Sequence, residues 1–96
     1  MISVLDDLGT LQAVIEDYQK RKLPRMLRIR QQVDGGAILS EYDMEFLMGL
    51  HHQIYRYESF VEEHAEYMLI YQGFVQVYGH IIDVGLANER SEFGNL

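Results

Sequence analysis

Apolar residues recur every three or four positions through most of this chain, and a sequence patterned in that way hides its hydrophobic groups by packing helix against helix. Val4, Leu8, Leu11, Ile15 and Tyr18 follow at spacings of 4, 3, 4 and 3, with Ile2 and Leu5 beside them, and predict a first helix over about residues 3–20. Pro24 cannot continue a helix without losing a backbone bond, but it suits the first position of a new one. A turn is therefore expected at 21–23, followed by a short helix over 24–33 that the pair Gly35-Gly36 ends. Ser40 has the spacing of an N-cap, with Asp43 in the third helical position and Leu39 before it as a staple.

The helix that Ser40 starts is expected to reach about Glu62. Met44, Leu47, Met48, His51, Ile54, Tyr55, Glu58 and Val61 trace its main stripe. The pattern then resumes with Met68, Tyr71, Val75, Tyr78 and Ile82, so a reversal is placed at 62–66. Gly73, Gly79 and Gly85 each weaken this last helix, and their spacing of six puts them on different faces. The expected fold is all-α: a small bundle of three to four helices, with two long helices (about 41–62 and 66–86) as an antiparallel pair. One continuous helix from Glu41 to Leu86 is the alternative, and it would need a dimer to cover its stripe. A chain of 96 residues fits one domain, here expected over 1–90, with a polar, frayed tail at 91–96.

Charge is distributed unevenly. Net charge is −7, yet Lys20, Arg21, Lys22, Arg25, Arg28 and Arg30 fall together in a stretch without acid, leaving two basic residues against fifteen acids elsewhere. Arg21, Arg25 and Arg28 form a candidate basic row. Its expected use is pairing with acids such as Glu41, Asp43, Glu45, Glu58, Glu62 or Glu63, within one subunit or between subunits. Nucleic acid is disfavoured, because the acidic remainder repels a polyanion. The absence of cysteine removes disulfides and thiolate chemistry and fits a reducing, cytoplasmic setting. The opening residues carry acid where a secretory signal carries base, and the apolar region from Tyr67 to Leu86 is too polar for a membrane span.

Motifs for chemistry fail on spacing. Counted from Asp34 as a calcium loop, positions three and five are Gly36 and Ile38, so two ligand positions are empty. No Glu stands three residues before a His, and no His-Glu-x-x-His occurs, which removes the di-iron and zinc-protease patterns. Ser40 is engaged as a cap, and no strand-turn-helix elbow is available to expose a nucleophile. An enzyme is thus not expected, and no cofactor is assigned. The competing class is a small metal- or haem-binding protein, with His51, Glu58, His64 and His80 as the candidate ligands.

The segment Lys22-Leu23-Pro24-Arg25-Met26-Leu27-Arg28-Ile29-Arg30, with Val33-Asp34-Gly35-Gly36 and Leu39-Ser40-Glu41-Tyr42-Asp43-Met44-Glu45-Phe46-Leu47, resembles a pattern of small all-helical bacterial proteins. The resemblance spans residues 22–47, implies a helical domain and names no catalytic residue.

The chain has seven Tyr, five Met and more large apolar groups than so small a bundle can hide. Phe46, Leu50, Tyr57, Phe60 and Phe74, with Ile81, lie beside the main stripes. The first five, together with Tyr71 and Tyr78, make the candidate interaction face of seven residues, since contiguous apolar patches of this kind mark partner surfaces. The expected function is a non-enzymatic protein–protein interaction or regulatory module that self-associates as a two-fold homodimer.

Overall fold

The computed structural model describes residues 4–94, with side chains over 9–92. Its helical segments are α1 (Val4–Asp17), a π-helical turn (Tyr18–Lys22), α2 (Leu23–Asp34), α3 (Glu41–Tyr55), α4 (Glu58–Glu63), a 3-10 turn (Ala65–Tyr67) and α5 (Met68–Gly94). No strand occurs among the described residues. The segments form three rods: α1 through α2, then α3 with α4, then α5. Gln12 meets Tyr67, Tyr18 meets Phe74 and Asp34 meets His80, so the first rod runs parallel to α5. Leu39 lies against Gly85 and His51 against Tyr78, so the second rod runs antiparallel to α5. The bundle is elongated, with extents of 56 × 21 × 21 Å.

The expected turn at 21–23 is corrected. The backbone stays helical through Pro24, and the Leu23 N–H bonds to the Tyr18 carbonyl five residues back. The physical reason lies in the proline ring, which lacks an N–H and crowds the carbonyl four residues earlier. Widening one turn relieves that crowding without ending the helix. The rod therefore carries both Tyr18 and Met26 into one core.

Local chemistry sets the other ends. Gly36 has φ 101°, its N–H bonds to the Val33 carbonyl, and the Ala37 N–H bonds to the Gln32 carbonyl. These two bonds are those of a Schellman stop, which places glycine where the backbone turns left-handed. The Ser40 hydroxyl accepts from the Asp43 N–H at 3.1 Å and caps α3. The second rod is interrupted once at 56–57 before α4 resumes. The chain reverses at His64 (φ −127°, ψ 88°), inside the segment where reversal was expected. A continuous helix over 41–86 is thereby excluded, and α5 runs past Leu86 to Gly94.

The core is apolar throughout. Leu11, Tyr18, Met26, Ile29, Val33, Leu47, Leu50, Val61, Phe74 and Ile81 are buried, and no polar or charged residue among those described joins them. Tyr18 packs edge-to-face on Phe74, with ring centroids 5.9 Å apart and planes at 83°. At Gly85 a Cβ would fall 2.6 Å from Leu39 Cδ1, so the staple residue before Ser40 can sit down on α5 only because that position is glycine.

The centre of the core differs from the expected stripes. Leu50 (4% exposed) and Phe74 (2%), expected on the outer face, are in the core, while Met48 (60%) and Val75 (47%), expected within the main stripes, face outward. Each residue advances a helix by about 100°, so neighbours such as Phe74 and Val75 belong to adjacent stripes. The deepest stripe is the one where two neighbouring rods converge, and on α5 that line passes through Phe74 and Ile81.

Candidate functional site

Three grooves separate the rods, and they differ in what closes them. Between α2 and α5, His80 Nε2 is hydrogen-bonded to Asp34 Oδ1 at 2.6 Å. In the same groove the Asn88 amide donates to the Val33 carbonyl at 2.7 Å and the Ala37 carbonyl at 2.8 Å. These bonds tie the Schellman stop, which would otherwise leave carbonyls open, onto α5. Between the first rod and α3, the Arg25 guanidinium lies over the Phe46 ring at 4.1 Å and reaches Asp43 at 4.0 Å, with Lys22 also over that ring.

The α3–α5 groove is closed by rings and aliphatic groups. His51 stacks on Tyr78 with centroids 4.9 Å apart, and also on Tyr55 at 5.9 Å. Outward from these rings the two helices expose Met48 and Tyr55 on one side and Val75 and Leu86 on the other. Half-buried Met44, Tyr71, Tyr78 and Ile82 lie between them at helical spacing. The result is an apolar strip along the outside of α3 and α5, interrupted by the exposed His51 ring, while Tyr42 and Leu69 are exposed on other faces of the same helices. Burial pushes the Tyr71 hydroxyl above its ordinary value, and the Glu58 carboxylate, Tyr55 and the Glu62 carboxylate push it the same way.

The sequence-derived candidates are divided among these places. Leu50 and Phe74 belong to the core, whereas Phe46, Tyr57, Phe60, Tyr71 and Tyr78 are half-buried. Phe46 lies under Arg25 and Phe60 stacks on His64 at 4.2 Å, so the seven do not form one outer surface. Of the basic row, Arg21 pairs with Asp17 one turn back at 3.6 Å, Arg25 crosses to Asp43, and Arg28 is exposed. The histidines are dispersed: His51 lies on the α3–α5 strip, His64 at the reversal beside Glu66, and His80 in the α2–α5 groove. With Glu58 beside Tyr71, the four candidate ligands are not brought together, and no group of three metal-binding side chains converges among the described residues.

A small cavity of about 30 Å³ lies where α1, α4 and α5 meet, lined by Leu11, Ile15, Tyr18, Val61, Ile70 and Phe74 among others. It has room for little more than a water molecule and no charged group on its wall. Sequence reasoning missed Met48, Val75 and Leu86 as surface residues. It also missed Asn88, which shows no sequence signal beyond being a polar residue on an otherwise apolar helix face.

Comparison with protein-family models, curated proteins and solved structures finds no match. What stands is a small all-helical domain without a catalytic or metal-binding cluster among its described residues. None of its described helices is long and apolar enough to cross a membrane.

Proposed function

We propose that the protein is a non-enzymatic helical interaction module whose α3–α5 face receives a helix from a partner. One observation carries this: Met48, Tyr55, Val75 and Leu86 are exposed along one strip, in a chain whose core is already complete without them. Contiguous exposed apolar patches mark partner surfaces in small proteins. The strip also has the position that a fourth helix takes in a four-helix bundle. A reducing, cytoplasmic setting belongs to the same proposal, supported by a chain without cysteine.

A two-fold pair would be one form of this, because one surface would serve both copies, although the net charge of −7 weighs against pairing like with like. Sedimentation velocity across micromolar concentrations measures it. Metal analysis and a visible absorption spectrum of freshly purified protein test the function class. The expected result is neither metal nor chromophore. Stoichiometric iron or zinc, or a Soret band, would replace the module with a cofactor-binding protein.

A further inference from the structure

We infer that the occupant of the α3–α5 strip is a basic amphipathic helix from a different protein, an inference that rests on the module proposal and names its partner class. The apolar part of the strip runs from Tyr71 to Leu86 along α5, about 22 Å or four helical turns, which is the length of one docked helix. Gly79 lies on it between Val75 and Ile82, and nothing stands within 4 Å of where its Cβ would be, so a partner backbone can approach closely there. Met44 and Met48 add unbranched thioethers that adapt to a partner's side chains.

The rim of the strip is acidic. Glu58 and Glu62 act on Tyr71 at one end. By helical spacing Glu41 adjoins Met44, Asp83 adjoins Gly79 and Leu86, and Glu89 follows Leu86 by three. Against these five carboxylates stand only Arg56 and Arg90. Pairing two copies strip to strip would bring acidic rim against acidic rim in a chain of net charge −7. Like-charge juxtaposition of that kind selects against a partner. The chain's own basic helix cannot be the occupant either. Its apolar residues Met26, Ile29 and Val33 are 0–3% exposed in the core, so beside its charges it offers another copy only Leu27 (38% exposed), one residue and not a stripe. A partner helix with an apolar stripe flanked by Lys and Arg satisfies both strip and rim, as in helix-in-groove recognition.

The test uses the full chain and two monomeric helical peptides of about 18 residues. They share one Leu/Ile stripe; one carries Lys and Arg on its flanks and the other carries Glu. Binding is followed by fluorescence anisotropy at low and high salt. The basic peptide should bind at least about tenfold more tightly than its acidic twin and weaken as salt rises. Its affinity should fall by about tenfold or more in Met48→Gln/Val75→Gln, with the variant still folded and its melting temperature within about 8 °C of the parent's. In Glu58→Gln/Glu62→Gln the salt dependence should shrink. Equal affinity for the two peptides, or binding indifferent to the Met48/Val75 variant, would overturn the inference. A parent dimer that this variant converts to monomer would also overturn it, by showing a second copy on the strip, yet would leave the module proposal standing. If the variant changes neither peptide binding nor sedimentation, both proposals fall.

Discussion

Two grooves run along α5, and the chain treats them differently. The groove shared with α2 is bridged by directed bonds, His80 with Asp34 and Asn88 with the carbonyls of Val33 and Ala37, beside an open cleft of about 370 Å³ lined by Arg30, Gln76 and Val77. The groove shared with α3 is covered by His51 on Tyr78, and beyond those rings its aliphatic groups stay open to solvent. Directed bonds fix one neighbour in one register, whereas an apolar surface with few polar commitments accepts a helix that arrives from elsewhere. The α2–α5 side thus ties its helices by directed bonds, and the α3–α5 side, where we propose that a partner docks, leaves aliphatic groups exposed.

The largest expected effect comes from separating two adjacent residues on α5. Phe74→Ala removes a ring from the core and should cost about 3–5 kcal/mol. Val75→Ala, one position along, trims a half-exposed side chain and should stay within about 1 kcal/mol. Denaturant unfolding of the two variants measures both, and equal losses would erase the distinction between core and strip.

Asn88→Ala comes next, because it removes two of the three directed bonds that hold the end of α2 to α5 and leaves His80 with Asp34. A loss of about 1–3 kcal/mol is expected, together with faster amide exchange around Gly35 to Ala37. No change in exchange there would mean that the α2–α5 groove is not held by these bonds.

The smallest effect is alkaline. Burial pushes the Tyr18 hydroxyl above the usual phenol range. The folded state then resists ionisation while the unfolded chain ionises near about pH 10, so this contribution is complete below that pH and is lost as pH rises through the folded value. Tyr18→Phe should flatten the alkaline limb of the stability curve. A limb unchanged by that substitution would place the titration elsewhere.

Sequence reading succeeded where one residue's own chemistry acts on its neighbours. The Ser40 cap and the Gly35-Gly36 stop depend on bonds within four or five residues, and both are present. Pro24 was misread because proline in a helix has two outcomes. The chain either stops or widens a turn, and here Tyr18 and Met26 on either side both pack in the core, which favours widening. The choice between the Phe74 and Val75 stripes was equally out of reach. Both are apolar at helical spacing, and only the directions of the two neighbouring rods determine which becomes the centre. The face read from the aromatic excess is therefore not the exposed strip: Leu50 and Phe74 lie in the core, and Met48, Val75 and Leu86 carried no signal that set them outside.

The double variant Met48→Gln/Val75→Gln tests the central claim most directly, by chemical denaturation of the full chain. Both positions accept a good helix former, and both side chains face solvent, so stability should change by no more than about 1 kcal/mol. A loss of about 3 kcal/mol or more would show that Met48 and Val75 are part of the core, and that the chain has no spare face to offer a partner.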